Sequence, residues 1–271
     1  MRLKNLTAIV TGGGTGIGKG VSLRLAREGA NLVIVGVDIV KSDCNQYFSK
    51  NIGGYTAAKK IVKFLIEKGF RALAIEADVT KEEQVKKMID ETVKNFSTVD
   101  ILVNCAGVIS FRLIENLTLQ DWDHIIEVNL KGTYITNKAV VAQMRKQGKG
   151  KIINFSSESG KKGEIGLSHY CASKWGVIGF TKALAIELAK EKITVNAICP
   201  GVVETQMWKE ISQKLAKNGE TEKQSFDRIV KTNYPQGALQ TFEDMAEAVV
   251  FLSVSDHITG EALSIDSGST I

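Results

Sequence analysis

Tyr170 and Lys174, in "HYCASK", stand four residues apart. On a helix that spacing puts both side chains on one face, about one turn from each other. A lysine ammonium beside a phenol stabilises the phenolate and lowers a pKa that starts at about 10. A tyrosine held this way can take up or release a proton near neutral pH. The same spacing also occurs as a plain surface pair. Here it opens a helical stretch that follows a strand ending in Ser156 and Ser157.

A second constellation, "TGGGTGIGKG", runs from Thr11 to Gly20. Gly13 to Lys19 spells GxxxxGK, most of a loop that cradles a nucleoside triphosphate. Such a loop needs Ser or Thr directly after its lysine to hold magnesium, and Gly20 stands there. The strict GxGxxG pattern also fails. What remains is Gly12, Gly16 and Gly18, with Thr15 and Ile17 between them, as a turn that receives a dinucleotide's pyrophosphate. Glycines permit the sharp turn and the close approach of the pyrophosphate to a helix's amino end.

In such sites an acidic residue about 20 positions further on accepts the adenosine ribose hydroxyls. Asp38 lies 20 residues past Gly18, no Arg stands at that strand end, and Thr15 rather than a basic residue precedes Gly16. A 2′-phosphate would meet the Asp38 carboxylate. The residues therefore favour NAD, with NADP the alternative that Lys19 and Lys41 keep open.

These groups need a scaffold, and the chain supplies strands and helices in alternation. "TAIVT", "NLVIVG", "RALAIEAD", "DILVNCAG", "KIINFSS", "TVNAICPG" and "ALSID" read as seven short strands. Helices are expected near 17–28, 57–68, 170–190 and in "TFEDMAEAVVFL". One opens at Thr80-Lys81-Glu82-Glu83, a capping box, and another at "TLQDW". Apolar strands without clean alternation suit a parallel sheet covered on both faces. The expected fold is α/β, a doubly wound Rossmann-type parallel sheet of seven strands flanked by helices. No linker interrupts residues 1–271, so a single domain is expected. Two stretches break the rhythm: 38–55, and 204–237, which is expected to form a lid over the sheet's carboxyl edge.

Composition narrows the class further. Hydrophobic residues at 44% and charged residues at 24% describe a globular chain, not a disordered one. The net charge of +5 is spread among acids with no basic stripe, which argues against nucleic-acid binding. The four cysteines and three histidines show no metal-ligand spacing, so no metal is expected. No apolar run is long enough to span a bilayer, and the amino terminus carries no signal core. A cytoplasmic protein, bound to no membrane, is expected.

Taken in order, "TGGGTGIG", "ADVT", "DILVNCAG", "VNLKGTY", "INFSSESG", "YCASK", "VNAICPGVV" and "GEALSIDSG" resemble the short-chain dehydrogenase/reductase family over essentially the full length. The resemblance implies an active site of Asn129, Ser157, Tyr170 and Lys174. Ser157 is preferred to Ser156 because it precedes the tyrosine by 13 residues, the family's spacing. It implies that Tyr170 exchanges the carbinol proton and Ser157 holds the same oxygen. Lys174 lowers the tyrosine pKa and binds the nicotinamide ribose, and Asn129 holds a water that links Lys174 to solvent. By the same resemblance Asp78 and Val79 contact adenine, and Asn104, Ala106 and Gly107 form the segment beside the adenosine ribose and central sheet. Pro200, Gly201, Val203 and Thr205 embrace the carboxamide. The chain departs from the family's usual pattern at Gly36, where an acid is common, at Cys105, where Asn is common, and at Ser267, where Gly is common.

"CPGVVETQMWKEI" is similar to the diol and polyol members, such as acetoin reductases and butanediol or sorbitol dehydrogenases. Met207 and Trp208 would then wall a small alcohol or ketone substrate at Ser157 and Tyr170. Glu158, Lys161, Lys162 and Glu164 suit a hydroxyl-rich substrate, unless they face water. A sugar, sugar phosphate or hydroxysteroid is the alternative substrate, and a non-catalytic cofactor sensor the alternative function. His169 adjoins Tyr170 and either lines the mouth of the site or is packed away. Cys171 and Cys199 lack a base that would make either a nucleophile. A homo-oligomer, tetramer or dimer, is expected from the family and suits the apolar periodicity at 121–145 and 170–190.

Overall fold

The structure, a computed structural model, describes residues 1–39, 52–203, 216–217 and 219–271. Thr205, Met207, Trp208, Lys41 and Cys44 lie outside the described residues, as does much of the expected lid.

Seven strands form one parallel sheet in the order β5-β2-β1-β6-β7-β8-β9. They are β1 Thr7–Thr11, β2 Asn31–Gly36, β5 Ala72–Glu76, β6 Ile101–Asn104, β7 Gly150–Phe155, β8 Ile193–Pro200 and β9 Ala262–Ile265. A two-stranded antiparallel hairpin, β3 Asp38–Ile39 with β4 Ile52–Gly53, stands apart from the sheet.

The central strands are buried on both faces, which explains their unbroken apolar runs. Alternation reappears as a division of labour. Ala8, Val10, Leu32 and Ile34 pack into one core, while Ile9, Val33 and Val35 pack into the other. The first core is closed by α1 (Gly16–Arg27), α2 (Gly54–Glu67) and α8 (Phe242–Val254). The second is closed by α3 (Glu82–Phe96), α5 (Gly132–Gln147) and α6 (Ser168–Leu188).

The chain builds outward from β1 to β2 and β5, then crosses back to β6 on the other side of β1. The reversal leaves a crevice beyond the carboxyl ends of β1 and β6, where doubly wound sheets bind ligands. The glycine-rich turn follows β1, and Cys105 to Gly107 follow β6. Both sets of residues therefore meet at the switch point.

Local signals mostly hold, with one correction. Capping boxes form at Thr118 with Asp121, opening α4 (Leu119–Ile126), and at Thr241 with Asp244, opening α8. The box expected at Thr80 does not form: α3 starts at Glu82 after Lys81, with no side-chain cap. Thr80 Oγ1 instead donates to Asp78 Oδ1 at 2.8 Å, and the Gln84 side chain accepts the Asp78 N–H. Ser267, which stands where the family favours glycine, has φ +50°, the left-handed region that explains the preference. Its hydroxyl donates to Ala238 O at 2.9 Å, which helps hold the turn.

Candidate active site

The glycine-rich turn is packed from three sides. A Cβ on Gly18 would stand 2.3 Å from the carbonyl oxygen of Gly12, where the turn folds back on itself. One on Gly12 (φ +63°) would meet the backbone of Ala106 at 2.9 Å, and one on Gly14 the oxygen of Gly54 at 2.4 Å. Ser22 Oγ, nearly two turns into α1, donates to Gly13 O at 3.2 Å and pins the turn from the helix side. Thr15 caps α1 in extended backbone without a side-chain bond to the first N–H groups. Those donors, and the positive end of the helix, face the cleft. This is a cradle for the pyrophosphate of a dinucleotide, with glycine required by contact. Gly20 has a different neighbour: its Cβ would lie 2.7 Å from that of Phe242. The hydroxyl a magnesium triphosphate loop needs is therefore both missing and sterically barred.

A cavity of about 590 Å³ takes in Gly12, Thr15, Gly16, Ile17 and Gly18 at one end, and Ser157, Tyr170 and Lys174 at the other. Asp78, Val79, Ala106, Gly107, Pro200, Gly201 and Val203 line it between them. Asn104, expected in the segment beside the ribose and central sheet, is on the sheet side and is not among the lining residues. It is buried beneath, where its Nδ2 donates to Asn154 Oδ1 at 2.9 Å. Asn137 donates to the same oxygen at 3.0 Å, and Asn154 donates in turn to Thr181 at 3.0 Å. The network ties β6, β7, α5 and α6 together under the site.

The adenosine end differs from expectation in detail. A Cβ on Gly36 would lie 2.7 Å from Gly54 O, so the amino end of α2 fills the place where the family's usual acid projects. Asp38 lines the cavity, but its carboxylate also accepts Thr56 N–H at 2.9 Å and Thr56 Oγ1 at 2.6 Å. These bonds, with Lys59 nearby, hold its pKa below the ordinary carboxylate value. Asp38 thus caps α2, which is why that helix begins at Gly54 rather than near Ala57. Lys19 is exposed and does not line the cavity, whereas His124, which the motifs did not single out, does.

At the reacting end, β7 delivers Ser157 and the first turns of α6 deliver Tyr170 and Lys174. Ser156 Oγ donates to Lys174 O at 2.9 Å and fastens strand to helix. The Lys174 ammonium lies 5.6 Å from the centre of the Tyr170 ring and donates to Phe155 O at 3.0 Å. Burial pushes its pKa down to about 8, with Cys105 and Cys199 opposing. Burial pushes the Tyr170 phenol above its ordinary value. A hydrogen bond with Ser157 pulls it back toward the ordinary value, while Glu164 and Glu158 raise it further. Desolvation is the largest contribution, so the net shift of the phenol is upward even with the Lys174 ammonium beside the ring.

Asn129 sits behind this face on a π-helical turn, Glu127–Lys131, inserted between α4 and α5. π-turns of this kind often mark functional positions. Its amide grips Val108 from both sides, accepting the N–H and donating to the carbonyl at 2.8 Å each. It also donates to Ser173 Oγ at 3.1 Å. A Cβ on Gly107 would lie 3.3 Å from Asn129 Oδ1 and 3.6 Å from Lys174 Nζ. The four expected active-site residues therefore come together, with Asn129 as the strut and Gly107 leaving space beside the ammonium.

His169 does not reach the mouth: it is fully buried, with Nε2 2.8 Å from Ser110 Oγ. Cys105, Cys171 and Cys199 are free, and burial raises each thiol, which makes all three poor nucleophiles. Among the described residues no group of three or more His, Cys, Asp or Glu could hold a metal ion, and no helix is long and apolar enough to cross a membrane.

Comparison with known proteins gives a consistent result. Residues 6–216 match the family model described as short chain dehydrogenase. A 3-oxoacyl-[acyl-carrier-protein] reductase FabG from Thermotoga maritima is 35% identical over 273 residues, covering 100% of both chains. The protein of that name from Staphylococcus epidermidis is 35% identical over 266 residues, 97% of this chain and 98% of the relative. Among solved structures, the crystal structure of gox2181 superposes with a TM-score of 0.85 at 28% identity, covering 99% of this chain and 97% of that one. A match of that extent, on a chain whose cradle and tyrosine–lysine face share one cavity, makes this protein a member of the short-chain dehydrogenase family and an oxidoreductase.

Proposed function

We propose that this chain transfers a hydride between NAD(H) and a secondary alcohol or its ketone, the substrate being a small diol, hydroxyketone or polyol. The observation that carries the reading is that Ser157, Tyr170 and Lys174 open onto the same cavity as the glycine-rich cradle. A dinucleotide held by that cradle supplies the hydride-carrying carbon. Tyr170 takes the hydroxyl proton in oxidation and returns it in reduction, while Ser157 fixes the same oxygen. Lys174 places a cation beside the ring for the moment at which the phenol is ionised, and reaches the nicotinamide ribose. Asn129 holds Val108 and α6 in register and, by family analogy, serves the proton path.

NAD is preferred to NADP because Asp38, just past the second strand, lines the adenosine end, and its bonds to Thr56 keep it ionised. A 2′-phosphate would face a fixed negative charge. Pro200, Gly201 and Val203, with Thr205, are assigned to the carboxamide, and Met207 and Trp208 to the substrate wall. Residues 1–271 are read as one cytoplasmic domain with a lid at about 204–237. Tyr134 on α5 and Trp175 and Ile186 on α6 are exposed. They support pairing of these helices between copies in a homo-oligomer.

A second reading, reduction of a 3-oxoacyl thioester, is favoured by the names of the relatives that match over nearly full length. A screen at 340 nm separates the two. Acetoin, butanediols, hexitols, a sugar phosphate, a hydroxysteroid and a 3-oxoacyl thioester are each assayed with NAD(H) and NADP(H). The expected outcome is the highest kcat/KM for a diol–hydroxyketone pair with NAD(H). Turnover confined to the thioester would replace the substrate assignment, and preference for NADP(H) would remove the role given to Asp38.

The charge on Lys174 gives a pH prediction. With its pKa near 8, the ammonium is present below that pH and lost as pH rises through it. Ketone reduction should therefore hold a plateau below pH 8 and fall above it. Arginine stays protonated throughout, so Lys174→Arg, though slower, should carry its plateau beyond pH 8. A falling limb at the same pH in both proteins would assign it to another group.

A further inference from the structure

Four charged side chains follow Ser157, and three of them are consumed by the fold. Lys161 Nζ donates to Ala262 O at 2.6 Å and Ser264 Oγ at 2.7 Å, fastening the loop to β9. Lys162 Nζ lies 3.1 Å from Glu158 Oε2 and 2.9 Å from Ser269 Oγ. Glu158 is almost fully buried. Its Oε1 accepts Tyr234 Oη, just after α7 (Glu222–Asn233), and its Oε2 accepts Ser269 Oγ. Both Glu158 oxygens thus act as a latch between the loop, the described end of the lid and the carboxyl terminus.

Glu164 is different. It lines the same cavity as Ser157 and Tyr170, and its side chain keeps 23% of its surface exposed. Its nearest cation, Lys162, is 3.8 Å away and already committed to Glu158 and Ser269. A hydrogen bond from Ser159, with Lys162 beyond hydrogen-bond distance, leaves lone pairs on a carboxylate that offers about four, and burial with the Glu158 charge raises its pKa above the ordinary value. Leu167 adds an apolar surface to the cavity beside it.

We propose that Glu164 determines specificity by accepting a hydrogen bond from a second substrate hydroxyl, one or two carbons from the carbinol held by Ser157 and Tyr170. The carboxylate favours neutral hydroxylated substrates and opposes anionic ones, since Lys162 is already paired with Glu158. This inference rests on the alcohol dehydrogenase reading above, and narrows it.

The test compares (2R,3R)-, (2S,3S)- and meso-2,3-butanediol with 2-butanol, which has the same carbon skeleton and one hydroxyl fewer. A hydrogen bond to a charged acceptor is worth roughly a 10- to 100-fold factor. Glu164→Leu should lose about that much in kcat/KM on the preferred diol and change less than about threefold on 2-butanol. Glu164→Gln, which keeps an acceptor oxygen, should recover part of the loss. Unchanged melting and NADH affinity in both variants would show that the fold is retained. Equal losses on diol and 2-butanol, or no loss on either, would overturn the role of Glu164 and leave the enzyme reading standing. A wild-type protein that oxidises neither, yet reduces the thioester, would remove the reading beneath it as well.

Discussion

Tyr170→Phe is expected to remove almost all turnover while leaving NADH binding and folding nearly unchanged. The substitution deletes one oxygen. The ring stays in the apolar cluster it shares with Val108, Ile109 and Leu167, so the transfer and packing terms are preserved. The phenol's bond with Ser157 is lost, at a cost to stability of about 1 kcal/mol. What goes entirely is the group that exchanges the carbinol proton. General acid–base catalysis contributes on the order of 10²–10⁴-fold, and kcat should fall by that factor with KM changed little. Ser157→Ala should lower the rate by less, since it removes the group that holds the oxygen, not the one that moves the proton. Steady-state kinetics with the best substrate, alongside a fluorescence titration with NADH, would check this. Retention of the wild-type rate in Tyr170→Phe would end the catalytic assignment.

Gly18→Ala is expected to fail in the opposite way, by losing the dinucleotide. Its new Cβ would stand 2.3 Å from Gly12 O and 2.8 Å from Gly12 C, both backbone atoms that no side-chain rotation can move aside. The turn itself must open, and with it the approach of the helix's amino end to the pyrophosphate. Overpacking of this kind costs about 1–3 kcal/mol, and each 1.4 kcal/mol is about tenfold in affinity. The Kd for NADH should rise roughly 10- to 100-fold, with kcat at saturating cofactor recovering much of its value. A contrasting position is Gly69, where a Cβ meets nothing within 4 Å, although φ is +82°. Gly69→Ala should leave affinity untouched and cost only stability. An unchanged Kd in Gly18→Ala would mean that the turn is not the pyrophosphate cradle.

The features that short-range pattern specifies were the ones legible in the sequence. Strands buried on both faces give unbroken apolar runs, so the seven-stranded sheet could be read from "NLVIVG" and its equivalents. The junction of β1 and α1 carries its own signature because only glycine fits a turn folded onto its own backbone. Tyr170 and Lys174 share a helix face by spacing alone.

What the sequence hid depends on distant partners. Asp38 could be found by counting, but not its capture by Thr56, because that rests on the hairpin that brings α2 back against Gly36. Thr80 and Glu83 satisfied a capping pattern, yet Asp78, two residues back, competed for the hydroxyl. His169 adjoined the catalytic tyrosine and turned out to face the interior. Lys161, Lys162 and Glu158 looked equivalent to Glu164 until residues about 100 positions away, Ser264 and Ser269, claimed them.

The proposed chemistry needs a phenol and a hydroxyl converging on one substrate oxygen. A crystal structure of the enzyme with NAD(H) and an unreactive ketone or alcohol analogue measures this directly. The prediction is that Tyr170 Oη and Ser157 Oγ both lie about 2.6–3.2 Å from the analogue's oxygen, with the cradle at Gly12 to Gly18 against the pyrophosphate. An analogue whose oxygen sits beyond reach of Tyr170, or a dinucleotide bound away from the cradle, would contradict it.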